Sequence, residues 1–335
     1  MKVAAFTGGV KVPSARFRVR QYIPALQSYG VILDEIGMRG GAYPPAAQWQ
    51  RPIWGAARLA ALGVAAVRSY AYDATLLQRE MISSFTTVEC LTHSPRIFDV
   101  DDAIHLQRGG GFARRLAQMS ERVIAGNSFL AEWYSQWNRD VAIMPTGIDS
   151  DIYCPRRVHT NGRITIGWIG TSANHSYLTA IEAALREILT RHSDAHLKIV
   201  SDQAPDFNML NPTRWTFVPW SEIGEISDIQ TMDIGIMPLA DTPWSRGKCS
   251  FKMLQYMACG LPVVVAPVGM NAEVLNEATL GIAATSIDDW VDAIDALVAS
   301  AQMRTQMGEA GRGVIEKKYA INVLAPQFAK HLGHG

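Results

Sequence analysis

Short apolar segments alternate with helix-period segments along this chain, and the alternation runs through two separate stretches of it. In the first half the apolar segments are Val3–Phe6, Val31–Ile36, Ala74–Gln78, Arg96–Val100, Val123–Ala125 and Val141–Met144. Helical spacing between them is clearest at Arg16–Tyr29 and Ser128–Trp137. In the second half Ile164–Ile169, Leu197–Val200, Trp215–Val218, Asp233–Leu239, Pro262–Ala266 and Gly281–Ala283 repeat the pattern, with a helical stripe over Ser176–Arg191. Strands that are apolar on both faces are buried and parallel, and strand–helix alternation builds doubly wound sheets. The expectation is therefore an α/β protein of two Rossmann-like doubly wound domains. Residues 39–55, rich in Gly, Pro and Ala, read as loop, and residues 145–162 have no clear period. The first domain is expected over 1–148, a linker over 149–162 and the second domain over 163–316. Ligands of such sheets bind at the carboxyl ends of the strands, and two domains facing across a cleft would put the site there.

Length agrees with two domains: 335 residues exceed what one core efficiently serves. Lys plus Arg and Asp plus Glu are 31 each, so no global charge points to nucleic acid, and phosphate recognition must be local. Cys90, Cys154, Cys249 and Cys259 form no CxxC pair and no zinc spacing. Free thiols, no signal peptide and no long apolar run lead to the expectation of a cytoplasmic protein. No basic amphipathic helix stands out in the sequence.

Two segments carry chemistry. Gly167-Trp-Ile-Gly170-Thr171-Ser172 closes a strand just before a helix. Free N–H groups at such a turn attract phosphate, although the same turn also serves as plain scaffold. The second runs from Arg246 through Lys248, Lys252 and Gln255 to Gly260. A helix over about Ser250–Cys259, stopped by Gly260, would put Lys248 and Lys252 four apart at its start. Cations there oppose the helix dipole unless an anion such as a diphosphate accompanies them. At the amino end, Gly8-Gly9 follow the first strand, and Lys11, Arg16, Arg18 and Arg20 come next. Arg16 and Arg18 are candidates for an anionic acceptor or donor phosphates, against a solvated helix face.

The stretch Lys248–Val274 resembles the nucleotide-sugar signature of the retaining GT4 family of GT-B glycosyltransferases. Its Gly269–Glu273 resembles the family's Gly-x-x-x-Glu turn, and Gly167–Ser172 its loop opening the second domain. Val123–Leu130 and Val141–Asp149 resemble its strands and linker. Leu76–Glu80 and Arg96–Ala103 resemble a subset of bacterial enzymes of polysaccharide assembly. The tail from Asp288 to Leu332 resembles the closing helices, the last of which (317–335) returns to the first domain. The resemblance implies transfer of a sugar, with retention, from a nucleotide-diphosphate sugar to a glycan or lipid-linked acceptor, and it admits peripheral contact with the inner face of the membrane.

By that resemblance the donor is held by Gly8, Gly9, Gly170, Thr171, Ser172, Lys248, Lys252, Gln255, Asn271 and Glu273. Asp101, Asp102 and Lys252 are the catalytic candidates. Backbone N–H groups of Gly170–Ser172 with the two lysines stabilise the departing diphosphate, and Asn271 and Glu273 touch sugar hydroxyls. The family's paired donor-side glutamates are replaced by Gly247 and Gln255, and the amide of Gln255 is expected at the ribose. Asp101-Asp102 stand where many members have a histidine. No cofactor or metal is required on this reading; Asp99-Val-Asp101-Asp102 also fits a metal-binding DxD, as a minority reading, or a helix cap. His93, His105 and His175 read as isolated, and Trp168 as packing. Specificity is expected in loops 39–55 and 105–115, with Gly109–Gly111 lending mobility. A nucleotide-sugar epimerase and a non-catalytic nucleotide-sugar-binding protein are the alternatives.

Overall fold

The computed structural model describes residues 1–9, 12–37, 45–156 and 162–333. Lys11, residues 39–44 of the expected loop and 157–161 of the expected linker lie outside them. The chain divides into two units. The first holds Met1–Gly147, Arg246–Cys249 and Ile321–Gly335; the second holds Ile148–Ser245 and Ser250–Ala320.

The first unit is built on a parallel sheet of six strands in the order β2-β1-β3-β4-β5-β6. These are β1 (Lys2–Thr7), β2 (Ile32–Gly37), β3 (Ala74–Gln78), β4 (Arg96–Val100), β5 (Arg122–Ala125) and β6 (Val141–Ile143). β3 and β4 are buried almost throughout, as their unbroken apolar runs require. One face of the sheet packs Val3, Ala5, Leu76 and Ile124 against Tyr22, Leu26 and the carboxyl-terminal helix Ile321–Leu332. That last helix presents Leu324, Phe328 and Leu332 to this core, and Phe328 meets Tyr22 edge-on at 5.2 Å between ring centres.

The second unit contains β7 (Ile164–Ile169), β8 (Ala195–Ser201), β9 (Trp215–Pro219), β10 (Ile234–Met237), β11 (Val263–Val265) and β12 (Gly281–Ala283). Its parallel order is β12-β11-β10-β7-β8-β9. Counted within the unit this is the 3-2-1-4-5-6 order of a dinucleotide-binding sheet, with the order reversing between β7 and β10.

Several expectations change. Residues 48–55 are not loop: a 3-10 turn covers Gln48–Gln50, and an α-helix runs over Arg51–Arg68, with Pro52 in its first turn. Pro is compatible with a helix start, so it marks a beginning here and not a break. The expected helix Arg16–Tyr29 consists of a π-turn over Ala15–Val19, a 3-10 turn over Arg20–Tyr22 and a short α-helix over Ile23–Gln27. Ser176–Arg191 likewise divides into His175–Thr179 and Glu182–Arg191. Residues 148–156 do not stand apart as a linker. Arg312 donates to the carbonyls of Ser150 at 2.9 Å and Tyr153 at 2.6 Å, fixing this stretch to the second unit.

Nor does the second half form one unit from 163 to 316. Asn127 caps the helix Ser128–Tyr134 through Leu130 N–H at 2.9 Å. Its Nδ2 donates to the carbonyls of Arg246 and Lys248 at 3.2 and 3.1 Å. Cys249 Sγ donates to Asp101 O at 3.1 Å. A Cβ on Gly126 would lie 2.2 Å from that sulfur, and one on Gly247 would lie 2.5 Å from Ala103 Cβ. Two glycines thus let Arg246–Cys249 lie directly on the turn after β4.

Candidate functional site

In the first unit the ends of β3 and β4 bring charged groups together. Arg79, just past β3, has φ +64°, a left-handed conformation costly for a side chain of this size. Its N–H donates to Asp99 O at 3.0 Å, and its Nη1 reaches Asp102 Oδ2 at 3.3 Å. Glu80 accepts Ser84 N–H at 3.0 Å through Oε1. Glu80 Oε2 and Asp101 Oδ1 are buried acceptors with no hydrogen-bond partner among the described residues. Burial first, then the charge of Asp101, pushes the Asp102 carboxyl up to about 6; Arg79 and Lys248 pull the other way, and Glu80 adds to the rise. Asp101, Asp102, Arg79, Glu80 and Lys248 therefore share one electrostatic field. Arg79 and Glu80 were not candidates from the sequence; the signal was the Gln-Arg-Glu run closing an apolar strand.

The arginines after β1 behave differently from expectation. Arg18 is fully buried. Its Nε donates to Asp99 Oδ2 at 3.1 Å, its Nη1 to Met144 O at 2.7 Å, and its Nη2 to Asp99 Oδ1. Burial opposes its charge, but the Asp99 carboxylate more than offsets this and raises its pKa. Arg18 is thus a core ion pair and is withdrawn as an anion ligand; the helix-face spacing failed because the segment winds as a π-turn. The same pair occupies Asp99, so a metal at Asp99–Asp102 would have to displace Arg18. Among the described residues no three His, Cys, Asp or Glu side chains are grouped to hold an ion. Arg16 remains partly exposed, its guanidinium 4.6 Å from the centre of the Phe17 ring. Arg20 pairs with Glu35 at 2.8 Å. Gly8 lies close to Val12, and Gly9 has φ +101°, its N–H reaching Thr7 Oγ1 at 3.3 Å.

In the second unit the turn after β7 meets the helix Phe251–Ala258. A Cβ on Gly170 would lie 2.5 Å from Lys252 Nζ, so only glycine lets the ammonium rest on this turn. Lys252 Nζ also lies over the buried Trp168 ring, 4.4 Å from its centre. Lys248 is not on this helix, because Ser250 has φ +52° and the helix begins at Phe251. The two lysines therefore belong to different units, and the expected shared helix face does not exist.

The expected row of N–H donors is also largely spoken for. Gly170 N–H bonds Val200 O at 3.0 Å, and Ser172 N–H bonds Asp202 Oδ1 at 2.6 Å. Thr171 accepts Asn174 Nδ2 through its hydroxyl at 2.9 Å. His175, far from isolated, bonds Ser201 Oγ at 3.0 Å; burial and then Lys252 lower its pKa, opposed by Asp202. His105, likewise not isolated, stacks on Trp133 in the first unit, and burial pushes its pKa down to about 4. Around it, Arg108, Gly109 and Gly110 all have positive φ, a defined sharp turn rather than a featureless glycine run.

Gln255 faces the interior. It is 4% exposed, and its Nε2 donates to Glu225 Oε1 at 3.1 Å and Tyr153 Oη at 3.3 Å. It ties helix to core and is withdrawn as a ribose contact. Gly247 is closed to a glutamate by Ala103. Asn271 is fully buried, with Nδ2 bonded to Ala266 O at 3.0 Å and Oδ1 without a partner among the described residues. Glu273 is exposed on the helix Met270–Leu275, which starts at Gly269 with φ +54°.

The two six-stranded parallel sheets with their helices make this a protein of the GT-B fold. Solved structures support that class. Sucrose-phosphate synthase from Thermosynechococcus elongatus superposes with a TM-score of 0.72 at 14% identity, over 98% of this chain and 97% of that one. HepE from Anabaena, solved with UDP and glucose, gives 0.73 at 12% identity over 100% of both chains. A glycosyltransferase from Rickettsia africae gives 0.71 at 11% identity, over 100% and 99%. No curated protein matches the chain. Residues 163–300 match the family described as Glycosyl transferases group 1.

Proposed function

We propose that the protein transfers a sugar from a nucleoside-diphosphate sugar to a hydroxyl of a glycan or lipid-linked acceptor, with retention at the anomeric carbon. The observation that carries the reading is Lys252, whose ammonium rests on the Gly170 turn at the point where the strand order of the second sheet reverses. Sheets of this order bind nucleotides at that point, and a fixed cation there suits a diphosphate. As the bond from sugar to diphosphate breaks, negative charge grows on the leaving group, and a preplaced ammonium stabilises it without reorganisation. The group-1 match over 163–300 supports the reaction class. HepE was solved with UDP-glucose, and the trehalose-6-phosphate protein of E. coli with UDP-2-fluoro glucose, which makes UDP-sugars the first donors to try. Retention rests on the resemblance of Lys248–Val274 to the GT4 signature.

The acceptor belongs with the first unit on this reading. The unpartnered oxygens of Glu80 and Asp101 are hydrogen-bond acceptors suited to hydroxyls. Asp102, ionised above about pH 6, orients the attacking hydroxyl and draws on its proton. Arg79 and Lys248 temper the acidic cluster. No resident metal or cofactor is invoked, the cationic side chains supplying the charge stabilisation.

The test is a thermal-shift series with UDP-, GDP-, ADP-, CMP- and dTDP-sugars, with and without EDTA. A ligand bound only by the native protein raises its Tm. One base should stabilise the wild type regardless of EDTA, and Lys252→Ala should remove the shift while leaving the Tm of the free protein near that of the wild type. Unchanged donor affinity in Lys252→Ala overturns the phosphate assignment, and stabilisation lost with EDTA moves the site to the aspartates. Donor turnover without acceptor would identify an epimerase, and binding without transfer to any acceptor a binding protein.

A further inference from the structure

Cys154 and Cys259, far apart in sequence, are brought together in the second unit, and nothing in the transferase reading uses either. Cys259 closes the helix Phe251–Ala258 and is 4% exposed. Cys154 is half-buried and lies in the stretch by which the chain enters this unit from Ile148. The residues flanking one cysteine meet the residues flanking the other. Arg312 Nη1 donates to Tyr153 O at 2.6 Å and to Ala258 O at 2.8 Å, so the carbonyls that lead into the two cysteines share one donor. Just past them, a Cβ on Gly260 would lie 3.1 Å from Pro155 Cγ, so these two residues also pack together. One turn back on the helix, Gln255 Nε2 donates to Tyr153 Oη at 3.3 Å, and both groups donate to Glu225 Oε1. Residue 153 is thus held beside 258, and 155 beside 260, which leaves 154 facing 259.

Both thiols are free. Burial first, then the neighbouring Cys154, pushes the Cys259 thiol up to about 12, with Arg312 opposing and Glu225 adding to the rise. The other two cysteines are placed differently: Cys249 donates to Asp101 O in the first unit, and Cys90 is exposed. We infer that Cys154 and Cys259 form a redox modification site, a dithiol that a peroxide closes to an intrachain disulfide and a thiol reductant reopens. Cys154 is the sulfur that an oxidant reaches. Its thiolate attacks one oxygen of hydrogen peroxide, the O–O bond breaks, hydroxide leaves and Cys154 becomes a sulfenic acid. The Cys259 thiolate then attacks that sulfur; the S–O bond breaks, the S–S bond forms, and the second hydroxide leaves. The two hydroxides take up the two thiol protons, so two thiols are oxidised and one peroxide is reduced to two waters. Because Cys259 holds its proton tightly, the second step is the slower one. The bond ties the entry stretch of the unit to the end of the helix whose first turn carries Lys252.

The inference stands apart from the transferase reading, because it is tested without donor or acceptor. The full chain is reduced, freed of reductant, treated with hydrogen peroxide, blocked with iodoacetamide and digested with trypsin without reduction. Each cysteine falls in its own tryptic peptide: Glu80–Arg96, Asp140–Arg156, Cys249–Lys252 and Met253–Arg304. Wild type should give Asp140–Arg156 joined to Met253–Arg304 as the main linked species. Free thiols in the denatured chain should fall from four to two, and dithiothreitol should restore all four. The oxidised chain should remain a monomer and melt several degrees higher, since the cross-link closes a long loop in the unfolded state. Cys154→Ser, at a half-buried position, should keep the Tm of the reduced wild type and lose both the link and the rise in Tm. Cys90→Ser should lose neither. Peroxide treatment that leaves Cys154 and Cys259 unlinked, or that links either of them mainly to Cys90 or Cys249, overturns the inference. So does a rise in Tm that persists in Cys154→Ser.

Discussion

Asp102 is a carboxyl whose ordinary value of 3.8 is raised to about 6 by burial and by Asp101, against Arg79 and Lys248. Between those values the folded protein holds more proton than the unfolded chain, so this residue's contribution to stability falls as pH rises through the window and is level above it. Asp102→Asn removes this partly buried charge. The variant should match wild type near pH 3.8 and melt increasingly above it as pH approaches about 6, which thermal melts across this range would show. A difference that stays constant with pH would mean that the carboxylate is not held at an electrostatic cost. Arg18 and Asp99 make the complementary case: two charges with no exposure, kept inside because each answers the other.

Among the elements, the helix Ala301–Val314 shows how one glycine decides a packing contact. A Cβ on Gly308 would lie 2.0 Å from the backbone oxygen of Gly260, whereas one on Gly313 meets nothing within 4 Å. Both substitutions gain helix propensity, worth roughly 0.8–1.0 kcal/mol. At Gly308 the overlap is with backbone, which does not rotate away, and forced overpacking costs about 1–3 kcal/mol. Gly308→Ala should therefore lower, and Gly313→Ala raise, the stability read by urea unfolding of this unit. Equal effects at the two positions would show that the helices separate without cost. The helix Phe251–Ala258 makes a related point. Met253–Ala258 face inward, and only Phe251 and Lys252 in its first turn are partly exposed.

In the molecule as a whole, the chain returns to its beginning. Residues 321–335 belong to the first unit although they follow the second, and Phe328 and Leu324 fill the core beneath β1 and β3. Ending the chain after Ala320 should strip that core of one layer and leave the second unit's own core intact. Hydrogen exchange should then quicken in β1 and β3 while β7 and β8 keep their protection. Uniform loss of protection in both sheets would mean that the two units unfold together.

Local pattern sufficed for the sheets. Ala74–Gln78, Arg96–Val100, Ile164–Ile169 and Gly281–Ala283 are strands with the same bounds that their apolar runs indicate, because a strand buried on both faces writes its burial into consecutive residues. The strand-ending turn at Gly170 was legible from its glycines; that Lys252 packs on it is seen only in three dimensions. What the pattern could not carry was partnership between distant residues. Arg18 looked like an anion ligand until Asp99, 81 positions away, was seen to hold it. Lys248 and Lys252 are four apart in sequence, yet Ser250 and the bonds from Asn127 divide them between two units. The helix Arg51–Arg68 hid behind glycine and proline. Sequence determined which segments are buried; tertiary structure decided which polar groups were left over, since that depends on what each meets across space.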